Sequence, residues 1–135
     1  MSVLRAPLLV LSRSDRVRRL VSTMPVGAGI VAGYVAGEDV AAAVEATREL
    51  HDDGLLVTLD HLGEDTTDLD QAEATVQAYL DLLAALTAQG LAHGAEVSVK
   101  LSAIGQFVPD GGAEAALENA RRICRAARNA RSEEH

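Results

Sequence analysis

Two short apolar runs, LLVTLD at 55–60 and EVSVKLS at 96–102, are joined by one long stretch with helical periodicity. A strand that returns to its neighbour through a helix must run parallel to it. Parallel strands belong to sheets covered on both faces or closed into barrels, and two strands make neither. The alternation therefore predicts an α/β chain: a helical amino-terminal arm followed by the first two β/α units of a (β/α)8, TIM-type barrel. That barrel is incomplete, since a whole one takes about 250 residues and this chain has 135. A self-sufficient two-strand protein is the weaker reading, because both sheet edges would need cover.

The remaining signals fill in around those runs. Residues 1–37 read as an arm of short helices broken at Ser12–Ser14, Pro25 and Gly33. A helix is expected from about Glu38, with Val40, Ala43, Val44, Thr47 and Leu50 in one stripe and Gly54 as its stop. The long helix runs from about Asp68 to Gln89, with the stripe Ala72, Val76, Tyr79, Leu80, Leu83 and Leu86, and Gly90 ends it. A last helix is expected over 113–130, carrying Cys124 on its apolar side as a small buried hydrophobe. Residues 38–131 form the partial barrel, and 132–135 are a charged tail.

Charge and composition exclude several classes of function. A net charge of −8 opposes nonspecific nucleic-acid binding. One cysteine permits no intrachain disulfide. No run approaches the eighteen or so apolar residues of a membrane helix, and the start is a poor signal peptide, so a cytoplasmic protein is expected. Peripheral membrane contact through the arginine-bearing arm is a weaker expectation. His51, His61, His93 and His135 have no ligand spacing; Glu64, Asp65, Asp68 and Asp70 resemble a metal loop only loosely, and Thr67, Asp68 and Asp70 suit capping and dipole stabilisation of the helix that follows.

Eleven of the twelve basic side chains are arginine; the exception is Lys100. Side chains alternate across a strand, so Val97, Val99 and Leu101 share one face and Ser98, Lys100 and Ser102 the other. In the first run Leu55, Val57 and Leu59 oppose Leu56, Thr58 and Asp60. Asp60 and Lys100 then stand at neighbouring carboxyl ends, where barrel enzymes place their chemistry, within reach of an ion pair. Such a lysine can be structural, can form an imine as in class I aldolases, or can hold a carboxylate or phosphate as a compact charge. Alternation alone leaves the three open.

The segments YVAGED (34–39), VTLDHLGED (57–65), TVQAYLDLL (75–83), VSVKLSAIG (97–105) and ENARRIC (118–124) resemble the amino-terminal part of the monofunctional bacterial proline dehydrogenases, actinobacterial ones above all. The resemblance implies FAD-dependent oxidation of L-proline to Δ1-pyrroline-5-carboxylate on a distorted (β/α)8 barrel, with electrons passed to a membrane quinone. It gives Lys100 the proline carboxylate, Glu64 a place at the mouth of the site pairing with a substrate-binding arginine, and Asp60 the strand end beside the flavin. The flavin-holding residues are expected beyond residue 135, so neither FAD binding nor turnover is expected of this chain alone. The alternative is a non-catalytic relic, or one half of a split enzyme completed by another chain.

Overall fold

The structure is a computed structural model describing residues 39–63 and 65–133. The helical arm expected at 1–37, Glu64 and the end of the charged tail lie outside the described residues. The order is α1 (Val40–Asp52), β1 (Val57–Asp60), α2 (Leu69–Ala88), β2 (Ala95–Ser98), a short 3-10 helix (Leu101–Ile104) and α3 (Gly112–Glu133).

The two helices that precede the strands open and close alike. Asp39 caps α1 by accepting from the Ala42 N–H at 2.8 Å, and Asp68 caps α2 by accepting from Gln71 at 2.8 Å. Each carboxylate satisfies an amide that a helix start leaves without a partner. Each helix stops at a glycine in the left-handed region, Gly54 at φ 79° and Gly90 at φ 69°. After each glycine the next amide reaches back to the last turn, Leu55 to the Leu50 carbonyl at 3.0 Å and Leu91 to Leu86 at 2.9 Å. This is the Schellman closure, and the buried pair Leu86 and Leu91 supplies its apolar contact.

That closure shortens the first strand. The Leu55 amide belongs to the helix end, so β1 starts at Val57 and not at Leu55; Leu55 and Leu56 are 51% and 85% exposed. The second strand also ends early, at Ser98 and not Ser102, because the Ala103 amide turns back to the Lys100 carbonyl at 3.0 Å. Lys100 thus follows the strand in extended backbone (φ −89°, ψ 127°). Leu101, expected on the packed face, is half-exposed on the turn.

The strands pair in parallel, Val57 with Ala95 through Asp60 with Ser98. The described residues therefore form a mixed α/β fold of three helices and a two-stranded parallel sheet. Its core has two parts that meet at α2. Val44, Leu59, Leu82, Leu86 and Leu91 pack among α1, β1 and α2. Val76, Tyr79, Leu83, Ile104, Ala116 and Ile123 pack between α2 and α3. Val97 touches both clusters, so the apolar face of the sheet lies against the helices as alternation requires. Each large side chain buried this way contributes about 1.5–3 kcal/mol.

On α3 the helix faces differently from expectation around one residue. Ile123 takes the buried position, and the next residue, about 100° further round the helix, leaves Cys124 exposed at the rim of a cavity. The Arg122 guanidinium spans from α3 to Glu73 on α2 through both terminal nitrogens. Asn119 donates to the Ile104 carbonyl at 3.0 Å, fixing α3 to the 3-10 helix.

Candidate functional site

Because β1 and β2 are parallel, both carboxyl ends emerge at the same edge of the sheet. Asp60 closes β1 opposite Ser98, and Lys100, two residues on, falls on the same side as Ser98. The Lys100 ammonium lies 3.4 Å from Asp60 Oδ2, so the ion pair expected from alternation is present. The side chains are 42% and 34% exposed. A pair so open to water contributes only about 0.2–1 kcal/mol, so stability alone is a weak reason for a lysine here.

Beneath the pair sits Tyr79, from the middle of α2. Its ring is 1% exposed, in the core between α2 and α3. Its oxygen accepts from the His61 amide at 3.2 Å and stands 2.7 Å from the Ser98 carbonyl and 3.2 Å from Asp60 Oδ1. The phenol pKa is raised above its ordinary value, mainly because burial disfavours the phenolate, with the Asp60 carboxylate adding to the rise. The His61 amide opposes this by donating to the oxygen, as does the Lys100 charge. Sequence reading placed Tyr79 on an apolar stripe and missed this. The available signal was its polar tip, which a phenylalanine at that stripe position would lack.

The loops after the two strands are tied to each other. The Thr66 amide donates to the Ser102 carbonyl at 3.0 Å and its buried hydroxyl to the Ala103 carbonyl at 3.1 Å. In the DHLGED loop Asp65 holds φ 57°, a left-handed conformation that aspartate tolerates better than most residues. Glu64, given a substrate-pairing role by the resemblance, lies outside the described residues. The imidazole of His61 lies 5.9 Å from the Tyr79 ring, tilted by 57°. Two rungs before Asp60 and Ser98, Thr58 donates to Glu96 across the strands at 3.0 Å.

No cluster of three or more metal-ligating side chains occurs among the described residues. Two cavities, of about 420 and 150 Å³, are lined by neither Asp60 nor Lys100. The larger lies between β2 and α3, and the smaller by the amino ends of the strands. Among the described residues the pair is partly open to water. What the pair can do is recognise charge: an ammonium for a carboxylate or phosphate, beside a carboxylate for an amine. No helix among the described residues is long and apolar enough to cross a membrane.

No family model matches the chain. It is similar to the proline dehydrogenase of Deinococcus radiodurans, 36% identical over 90 residues, which is 67% of this chain and 28% of that protein. The chain therefore spans little more than a quarter of that relative's length, and its likeness to a proline dehydrogenase is a partial one.

Proposed function

We propose that this chain is the amino-terminal part of a proline dehydrogenase-type fold, of the monofunctional bacterial kind, and that its share of the site is a charge clamp for the amino-acid substrate. Lys100 holds the carboxylate of L-proline, and Asp60 orients the ammonium of Lys100 on the side from which the substrate amine approaches. Glu64 stands at the mouth as partner to a substrate-binding arginine supplied by another part of the site. In the whole enzyme FAD, held by residues outside this chain, would supply the oxidising chemistry for conversion to Δ1-pyrroline-5-carboxylate, with a quinone as onward electron acceptor. The observation that carries the reading is the Asp60–Lys100 pair, 3.4 Å apart at adjacent parallel strand ends, in a chain 36% identical over 90 residues to a proline dehydrogenase.

The test is a chimera in which this chain replaces the matching part of the Deinococcus radiodurans enzyme. Flavin absorbance confirms assembly, and proline-dependent dye reduction reports turnover. A charge-assisted hydrogen bond contributes about 1.5–3 kcal/mol, and each 1.4 kcal/mol is tenfold. Lys100→Met is therefore expected to raise KM for proline by roughly 10- to 150-fold. An unchanged KM in a flavin-loaded chimera overturns the clamp.

A second reading has its own observation. Leu56 and Leu62, before and after β1 in the chain, are 85% and 75% exposed. Large apolar side chains beside a two-stranded sheet suit a complementing chain, as in a split enzyme. Co-expression with the remaining part of the relative as a separate polypeptide tests it, with recovered flavin and dye reduction as the expected result.

A further inference from the structure

The residue that fixes the clamp comes from the core. A tyrosine whose only duty is to fill space between α2 and α3 needs its ring and nothing more. The Tyr79 hydroxyl instead lies beneath the last rung of the sheet, where Asp60 pairs with Ser98. It meets a group from each strand end: the Ser98 carbonyl at 2.7 Å, the His61 amide at 3.2 Å and Asp60 Oδ1 at 3.2 Å. A phenol has one proton and two lone pairs. The His61 amide occupies the acceptor side, and the proton is shared between the Ser98 carbonyl and Asp60.

The two oxygens of Asp60 therefore have separate assignments. Oδ1 faces the buried phenol, and Oδ2 faces the ammonium of Lys100 at 3.4 Å. A carboxylate held at only one oxygen can rotate about its last torsion, which is broad for aspartate. Held at both, it presents one oxygen at a set height above the sheet. The tyrosine is itself packed in the core, 1% exposed among Val76, Leu83, Ile104 and Ile123, so the carboxylate takes its position from a buried side chain.

We propose that Tyr79 is a positioning residue: through its buried hydroxyl it orients the Asp60 carboxylate, and through that carboxylate it sets where the Lys100 ammonium stands. The inference rests on the clamp reading for its purpose, but its geometry can be tested without substrate. In a site of this kind a displacement of about 1 Å is enough to weaken catalysis substantially, so a residue that never touches the substrate still governs the clamp.

Lys100 is the sole lysine of the chain, so the full chain grown on lysine labelled with carbon-13 at Cε gives one side-chain methylene signal at that site. Tyr79→Phe keeps the ring and removes the hydroxyl. The expected result is a Lys100 signal displaced from wild type in the direction produced by Asp60→Asn. The double variant should coincide with Asp60→Asn alone, because Tyr79 acts through Asp60. A Tyr79→Phe signal superimposed on wild type, or fully additive displacements, overturns the proposal. A second measurement does not depend on the folding of Tyr79→Phe. In a Tyr34→Phe background Tyr79 is the remaining phenol, and Asp60→Asn should lower its ionisation midpoint, read by phenolate absorbance; an unmoved midpoint overturns the contact. The clamp itself stands or falls on the proline KM of the chimera, so failure of one leaves the other identifiable.

Discussion

Thr66 lies in the loop after β1 and Ala103 in the 3-10 helix after β2, yet the buried Thr66 hydroxyl donates to the Ala103 carbonyl at 3.1 Å. This bond fastens the loop after β1 to the 3-10 helix that begins next to Lys100. Thr66→Val keeps the shape and strands a buried carbonyl, at a cost of about 1–3 kcal/mol. A denaturant titration should show that loss, whereas Thr66→Ser should recover most of it.

Lys100→Arg keeps the charge and should still fail. The guanidinium is a wide planar fork that matches a carboxylate in bidentate fashion. Asp60, already beside the ammonium at 3.4 Å, would engage it and draw it away from a substrate. In the chimera KM for proline should rise almost as far as in Lys100→Met; a near-native KM would show that charge alone suffices.

High pH should loosen the fold through Tyr79. Its folded pKa is raised, chiefly by burial, above the ordinary 10.0. The contribution is complete below that ordinary value and is lost as pH rises towards and through the folded pKa, since the unfolded chain releases the proton first. The pH dependence of unfolding above pH 10 should therefore be steeper for wild type than for Tyr79→Phe, as followed by circular dichroism.

Low pH should act at the Arg122–Glu73 contact. The hydrogen bonds from Arg122 hold the Glu73 carboxyl below its ordinary 4.5. Its contribution is present above that value and disappears as pH falls through the lower folded value. Glu73 is at the surface, so the effect on the melting temperature is small. Arg122→Met should remove this part of the acid dependence, which a pH series of thermal melts can resolve.

Two glycines should separate close approach from backbone conformation. A Cβ on Gly112 would lie 2.6 Å from the Gln106 carbonyl oxygen and 2.8 Å from that of Gly105, both backbone. Gly112→Ala must therefore move the start of α3, costing about 1–3 kcal/mol. At Gly90 no atom lies within 4 Å, but φ is 69°. Gly90→Ala should cost about 1–2 kcal/mol from left-handed backbone alone. Crystal structures of the two variants should show a displaced helix start only in the first.

Periodicity made much of this fold legible. The stops at Gly54 and Gly90 follow from the conformations glycine permits, and strand alternation was enough to bring Asp60 to Lys100. Local signals failed where bonds between segments decide. Leu55 and Leu56 have strand composition, but the Leu55 amide is claimed by Leu50. Leu101 continues the alternation on paper, while the turn from Lys100 to Ala103 breaks it. Cys124 sits on an apolar stripe, yet Ile123 takes the buried position. Tyr79 shows the other limit: periodicity assigns a residue to a face, but does not say what its outermost atom touches.

The parallel pairing of β1 and β2 also separates two kinds of evolutionary freedom. The proposed clamp residues Asp60 and Lys100 stand where the strands finish, while the packed clusters lie along their flanks. Substitutions at the exposed positions after Asp60 and Ser98, as distinct from the buried Thr66, Ala103 and Ile104, leave the packed clusters in place. Such a scaffold can diverge in specificity by small steps, each starting from a chain that still folds.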